Sequence, residues 1–553
     1  MHLGVGLVLL LVTATFACDV TFGSVMGIDF GSDYIEIAGP INGVNVNIVL
    51  NEQSHRKTDN YIGFRNGERS IGAQAKSLAA RFPQNMLTMI NHLIGITRNS
   101  SEFSNFKQLQ CEFDPLAEER DTVGFNFTDT GDTYTVEEIY AMMLNYCRST
   151  SRNAGVPSPE SMVITLPYNS SFGKRQSVLE AARLVNLNVL GLMHSTTASA
   201  LYYGIRRRGF GNRTVNVLIY DIGSTHTEVG VFKFSPPVQQ PGKRVRNVDS
   251  FGTLTTLAIV ADPTLGGRTL DLCIAKGIEA EAMSKIKISK VLGGTTIAQK
   301  KAQFSLFRAA KHAREVLSAN SATPVTVEGI APERDFNTVI SRKDFEANCS
   351  ELFKRFPVVA REALNKSSLS LGDIDAFEMM GGTSRTPKII NDLSAFWGRE
   401  VNRTLNSDEA AAMGAAYYAL RLSPHYRPHS FRIIERIPST LSFVVNPDVT
   451  NSSTTRRELA KDPVIGTRWS ITVNRTDDFT IQLFDLHSSI GYINITGVKR
   501  ALEGFSFFTP VVNHTNNSHI VRVQLRLTES GLLDVEDAGV FYRYAVNITT
   551  KPK

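Results

Sequence analysis

Three short stretches combine acidic side chains with glycines in a way that suits a nucleotide. Asp29-Phe30-Gly31-Ser32-Asp33 and Asp221-Ile222-Gly223-Ser224-Thr225 each put an aspartate at the end of an apolar run and a glycine two residues later. Such a carboxylate can hold the waters around a Mg²⁺ ion, and the glycine lets backbone N–H groups approach phosphate oxygens. Glu378-Met379-Met380-Gly381-Gly382-Thr383-Ser384-Arg385 supplies a third turn, whose paired glycines would let a flat purine lie against the backbone. One such turn arises easily by chance; three in order point to a phosphate-binding cleft. There is no Walker A motif, since Gly173-Lys174 lacks the preceding glycine and the following Ser or Thr.

The elements that must position these turns read as α/β. Residues 25–29 and 34–37 form the arms of one β-hairpin and residues 217–221 and 228–232 the arms of another, a spacing that resembles an internal duplication. Helices are expected at 135–153, 174–186, 297–318 and 407–422, the last with Ser407 as a cap and Asp408 and Glu409 in its first turn. After Leu422 the composition changes. Pro424, Pro428 and Pro438 punctuate a linker, and alternation over 520–527 followed by a Ser530-Gly531 turn reads as an all-β sandwich.

With 553 residues the chain is long enough for about three or four packing units. Its 42% hydrophobic and 20% charged residues are those of a globular protein, and a net charge of +6 without a basic run argues against nucleic-acid binding. The cysteines at 18, 111, 147, 273 and 349 show no metal or redox spacing and read as buried or incidental thiols. Residues 3–16 form an apolar run too short to span a bilayer, so 1–17 is expected to be a signal peptide with Cys18 first in the mature chain; no transmembrane segment follows. Asn-x-Ser/Thr acceptors at Asn99, Asn126, Asn169, Asn212, Asn348, Asn365, Asn402, Asn451, Asn474, Asn494, Asn513, Asn516 and Asn547 exceed the roughly five expected by chance. Together these predict a glycosylated, lumenal chain, although Thr550-Lys551-Pro552-Lys553 is no retrieval signal.

The order Asp29-Phe30-Gly31, Asp221-Ile222-Gly223, Leu265-Gly266-Gly267, Val316-Leu317-Ser318, Gly381-Gly382-Thr383-Ser384-Arg385 and Asp408-Glu409-Ala410 resembles the nucleotide-binding domain of the 70-kilodalton heat-shock proteins, within the actin-like ATPases. The finer marks Asn91-His92-Leu93-Ile94-Gly95 and Leu317-Ser318-Ala319-Asn320 most resemble its large endoplasmic-reticulum branch, the 170-kilodalton glucose-regulated (hypoxia up-regulated) proteins. The resemblance implies a two-lobed actin-like domain of duplicated ribonuclease-H-like units over 24–422, a linker over 423–440 and a peptide-binding β-sandwich over 441–553. It implies ATP or ADP with Mg²⁺: Asp29 and Asp221 at the ion's water shell, Gly31, Ser32, Gly223 and Ser224 at the phosphates, Arg314 and Ser318 at the adenosine. Gly381, Gly382 and Arg385 would meet the purine, Gly266 and Gly267 would lie nearby, and Asp408 would cap the helix beneath. Asp33, Tyr34, Thr225 and Thr383 complete the nucleotide-binding set.

The departures matter as much. Asn91 stands where the family has a lysine that steadies the attacked phosphate, and Ser195 where it has a glutamate that couples nucleotide state to domain docking. A neutral amide cannot offset the charge that develops in phosphoryl transfer, so hydrolysis should suffer more than binding. The second turn carries Ser224-Thr225-His226 where the family has glycines and a threonine. The resulting expectation is a lumenal chaperone that binds unfolded polypeptides and acts as nucleotide-exchange partner of the lumenal heat-shock-70 chaperone. The holding activity is the weaker half, because the sequence stops short of that branch's helical lid. A self-sufficient foldase would need a lysine substitute near Asn91. A sugar kinase of the same superfamily would share the phosphate turns but has no use for the C-terminal β-region.

Overall fold

The computed structural model describes residues 24–42, 45–109, 116–117, 122–127, 131–238, 249–446, 456–486, 488–506 and 518–543. The expected signal peptide over 1–17, Cys18, Cys111 and the acceptors Asn451, Asn513, Asn516 and Asn547 lie outside the described residues.

Two sheets of the same plan dominate the first 434 residues. In the first, β1 (Ser24–Phe30), β2 (Tyr34–Ile41) and β3 (Asn45–Ile48) run antiparallel, and β4 (Pro159–Leu166) and β5 (Asn188–His194) extend the sheet in parallel on the other side of β1. α1 (Val136–Asn153) precedes β4, α2 (Phe172–Leu184) lies between β4 and β5, and α3 (Ser195–Arg206) follows β5 directly. The second sheet repeats the arrangement. β6 (Val215–Ile222), β7 (Thr227–Ser235) and β8 (Gly252–Asp262) are antiparallel, and β9 (Ala376–Met380) joins β6 in parallel. The helices α4 (Gly267–Ile286) and α5 (Ile297–Leu317) belong to this second lobe.

Local sequence explains the helices. α1 begins at a capping box, with the Thr135 side chain taking the Glu138 N–H and Glu138 reaching back to Thr135. α5 starts the same way with Thr296 and Gln299. α6 (Ala410–Leu422) is alanine-rich, and Ala410, Ala412, Ala415, Ala416 and Ala419 are fully buried in a cluster that joins both sheets. Small side chains let this helix lie close to β1 and α3. The helix starts three residues later than the sequence suggested, Glu409 is its N-cap, and no side chain caps it.

The cysteine expectation needs correcting. Cys147 is a buried free thiol, but Cys273 on α4 is bonded to Cys349, 76 residues away, a pairing that only the folding of the second lobe brings together. A structural disulfide of this kind persists in oxidising compartments.

The stretch expected as a linker contains β10 (Phe431–Ile434), which adds in parallel to β8 at the edge of the second sheet. Beyond it lie two antiparallel sheets. One has the order β12 (Arg457–Lys461), β11 (Thr440–Val445), β14 (Phe479–Asp485), β15 (Ser488–Ile495), and the other β13 (Arg468–Val473), β16 (Ser518–Leu527), β17 (Leu533–Arg543). Phe443, Ile481 and Leu483 of the first share one core with Ile471, Val521, Val523 and Leu525 of the second. A short helix, α7 (Val498–Ser506), adds Val498 to that core, so this region is not made of strands alone.

Candidate functional site

β1 and β2 meet with Asp29 opposite Glu36, and β6 and β7 meet with Asp221 opposite Glu228. The two hairpins thus bring Asp29, Glu36 and Asp221 to one cleft between the lobes, with Glu228 buried beside Asp221 outside its wall. Burial pushes all four upward: Asp221 to about 7, with Asp29 and Asp408 adding repulsion, and Glu228 to about 8. Asp29 is raised by burial against the opposing hydroxyl of Thr165, and Glu36 is raised well above its ordinary value by burial and by Asp29. Glu228 accepts the Tyr168 N–H at 2.7 Å.

The cleft encloses a cavity of about 530 Å³, within the range of small-molecule sites. Asp29, Gly31, Ser32, Asp33 and Tyr34 line it from the first turn, and Asp221, Gly223 and Ser224 from the second. Arg314 and Ser318 of the α5 region, Gly381, Gly382, Thr383 and Arg385 of the third turn, and Asp408 complete the expected residues in its wall. Thr225, Gly266 and Gly267 stand outside the wall. Gly267 N–H and Arg268 N–H bond the carbonyls of Gly223 and Ser224, so these residues buttress the second turn from behind. A Cβ on Gly266 would lie 2.7 Å from the Ser224 carbonyl oxygen, which is why glycine is needed at this approach. Gly381 has φ 78°, and a Cβ there would meet the Ile222 carbonyl oxygen at 2.2 Å.

Several lining cations are already engaged. Arg314 holds Asp271 at 2.6 Å, and Arg385 holds Asp408 at 2.9 Å and Ser407 at 2.7 Å. Asp408 also meets Lys57 at 3.2 Å. It therefore does not cap α6, contrary to expectation: Arg385 and Lys57 outweigh burial and hold its carboxyl below the ordinary range. Ser407 does not cap it either.

Asn60, Lys57, Arg268 and Lys311 belong to the site and were not expected from the sequence. Asn60 donates to the carbonyl of Gly31 at 2.9 Å and steadies the first turn. Asp33 reaches across the cleft to Arg268 at 3.0 Å and Lys311 at 2.8 Å. Burial alone would raise Asp33, but Lys311 and Arg268 hold it far below the usual carboxylate range. Lys57 and Lys311 lie over the Tyr34 ring, 4.4 and 5.2 Å from its centre. Asn91 lines the cavity, and Lys174 donates to its carbonyl at 2.5 Å. Burial lowers Lys174 to about 8.

Among the described residues no group of three His, Cys, Asp or Glu side chains could hold a metal ion directly. Mg²⁺ keeps several of its own waters, and Asp29 and Asp221, crowded with two further buried carboxyls, fit an ion held through water. A divalent cation would relieve the repulsion that raises them.

Ser195 also lines the cavity, at the start of α3. Its neighbour His194 belongs to a fully buried chain in which Arg175 donates to His194 Nε2 at 2.8 Å and His194 Nδ1 lies 2.7 Å from Glu435. Arg175 donates also to the carbonyl of Ser530 at 3.1 Å, and Leu192 N–H to that of Glu529 at 3.1 Å. The turn between β16 and β17 is thereby seated on the first lobe beside the cleft.

Comparison with known proteins agrees with this architecture. Hypoxia up-regulated protein 1 of Xenopus laevis is 31% identical over 543 residues, covering 93% of this chain and 80% of that relative. The Homo sapiens protein of the same name is 31% identical over 428 residues, 75% of this chain and 41% of its own length, and the Gallus gallus one 28% over 545 residues, 93% and 52%. The profile of the family described as Hsp70 protein matches residues 25–553, so the chain belongs to the Hsp70 family and has that family's two-lobed actin-like ATPase fold.

Proposed function

We propose that this chain is an ATP- or ADP-binding chaperone of the endoplasmic-reticulum lumen, working as nucleotide-exchange partner of the lumenal heat-shock-70 chaperone and as a holder of unfolded chains, with weak hydrolysis. The nucleotide-binding domain is assigned to 24–422, the linker to 423–440 and the peptide-binding sandwich to 441–553, after a signal peptide over 1–17. The observation that carries the reading is the cleft base, where two glycine turns and the carboxyl groups of Asp29, Glu36 and Asp221 converge on one cavity.

Weak hydrolysis follows from Asn91. Its side-chain oxygen is buried without a hydrogen-bond partner, and its neutral amide supplies no positive charge to the cavity. Loss of one such stabilising contact typically costs about 100-fold or more in rate. A single conformation suits a lever on a partner better than a cycling machine, and the seating of the 528–531 turn on the first lobe through Arg175 supports one. The lumenal assignment draws on the Cys273–Cys349 disulfide and on the acceptors: of the nine in described residues, eight are exposed and Asn402 is half-buried.

The test pairs intrinsic ATP turnover with the rate of labelled ADP release from the lumenal partner. Slow turnover with accelerated release is expected; turnover at the rate of ordinary family members with no acceleration would sink the reading. The foldase reading has one observation in its favour, the amine of Lys174 beside Asn91. If Lys174 substitutes for the missing lysine, Lys174→Met abolishes turnover while nucleotide still binds.

A further inference from the structure

We propose that the cleft selects a nucleoside diphosphate over a triphosphate, because Ser32, His92 and Thr225 are stitched together in the space between the two phosphate turns; this rests on the nucleotide reading of the cleft.

The two turns belong to different lobes and their tips touch. Ser32 Oγ lies 2.8 Å from Thr225 Oγ1, and His92 Nε2 lies 2.7 Å from the first and 2.9 Å from the second. Two groups that grip one phosphate from opposite sides must stand roughly 5 Å apart or more, since each needs its own hydrogen-bond length. At 2.8 Å nothing fits between them. Ser32 and Thr225 are nearly inaccessible, 5% and 3% exposed, and only Ser32 of the three faces the cavity. The knot meets the cavity at Ser32, and Arg314, Ser318 and Gly382 share the cavity wall with Asp29, Asp221 and Asn91.

The charge around the knot points the same way. Burial, Lys174 and His226 keep His92 well below its ordinary value, and burial with Lys174 brings His226 down to about 4, so neither imidazole supplies a cation. Lys174 gives its ammonium to the Asn91 carbonyl and does not line the cavity. Asp33, adjacent to Ser32, is kept anionic by Lys311 and Arg268. A third phosphate placed between the turns would have to open three mutual hydrogen-bond contacts, and among the described residues the wall cations Lys57, Lys311, Arg314 and Arg385 are each already held by a carboxylate. The first two phosphates need no such opening, because the glycine-backed parts of both turns still line the cavity.

Calorimetric titration of the full chain with ADP, with ATP and with a non-hydrolysable ATP analogue, each with Mg²⁺, tests this. ADP is expected to bind at least tenfold tighter than either triphosphate. Thr225→Gly should strengthen triphosphate binding until the ratio nears one, and Thr225→Ser, which keeps the hydroxyl, should preserve the preference. Equal or tighter triphosphate binding by the unaltered chain overturns the inference and leaves the nucleotide reading standing, as does a ratio unmoved by Thr225→Gly. Absence of binding by all three nucleotides overturns both. If the glycine variant fails to fold, the ratio measured on the unaltered chain decides alone.

Discussion

The hairpins of the two lobes share a frame and differ in how they are tied down. In both, an aspartate at the strand end faces a buried glutamate, and the first strand pairs in parallel with a later one, β1 with β4 and β6 with β9. Around Asp29 the first hairpin is well supplied with donors: Thr165 bonds the carboxylate and Asn60 the turn. Its Asp33 is anchored in the opposite lobe by Arg268 and Lys311. The second hairpin has the reverse arrangement. No described side chain donates a hydrogen bond to Asp221, and the second hairpin meets the opposite lobe through Glu228, which accepts from Tyr168, and through Thr225, which contacts Ser32 and His92. The two lobes share the frame, while each has its own hold on the other, and those separate ties close the cleft.

The sharpest way to break this comparison is at Asp33. Asp33→Ala removes the carboxylate that Arg268 and Lys311 share at low exposure, and breaking a buried ion pair on one side costs about 3 kcal/mol. Urea unfolding should show that loss, with Asp33→Asn recovering part of it. A change below about 0.5 kcal/mol, the usual size for a surface substitution, would mean that the first turn is held by its own hairpin and not by the other lobe.

A smaller effect distinguishes the two aspartates by pH. Asp221 and Glu228 have folded-state values of about 7 and about 8, above their ordinary 3.8 and 4.5, so the folded chain binds more protons than the unfolded one. Their contribution to stability is complete at acid pH and is lost as pH rises from about 4 through about 8. Ligation through Mg²⁺ needs the ionised carboxylates and strengthens over the same window. Asp221→Asn should therefore raise the stability of the nucleotide-free chain at about pH 8 by roughly 2 kcal/mol while weakening Mg²⁺–nucleotide binding about 100-fold. Thermal unfolding across that range checks the first and calorimetry the second. Stability that stays flat with pH, or an Asn variant less stable at about pH 8, would refute the assignment of buried, raised carboxyls.

Much of this frame was legible because it is local. Apolar runs ending in Asp-x-Gly mark both hairpins, and the helix expected over 297–318 is found as α5 over Ile297–Leu317. The duplicated glutamates left a trace that was passed over: Glu36 follows Asp29, and Glu228 follows Asp221, at the same seven-residue spacing. Other features left none. Asp33 and Lys311 are 278 residues apart, and Cys273 and Cys349 are 76 apart; no periodicity links such partners before the chain folds. The local capping rule pointed to Ser407 and the resemblance to Asp408, but Arg385 and Lys57 from other segments engage Asp408, and neither residue caps α6.

The smallest expected effect removes the asymmetry itself. Thr165 sits on β4 beside β1, almost fully buried, and its hydroxyl donates to Asp29. Thr165→Val keeps the shape and suits a strand, so the change isolates one hydrogen bond and should cost about 1 kcal/mol. That bond opposes the upward push of burial on Asp29. Without it Asp29 becomes like Asp221, lacking a side-chain donor, and its titration midpoint should move upward while that of Asp221 stays or falls, because a protonated Asp29 no longer repels it. Carboxyl-carbon NMR titration reads both in one experiment. If Asp29 does not move, the hydroxyl is not what separates the two aspartates, and the difference between the hairpins lies in their ties across the cleft alone.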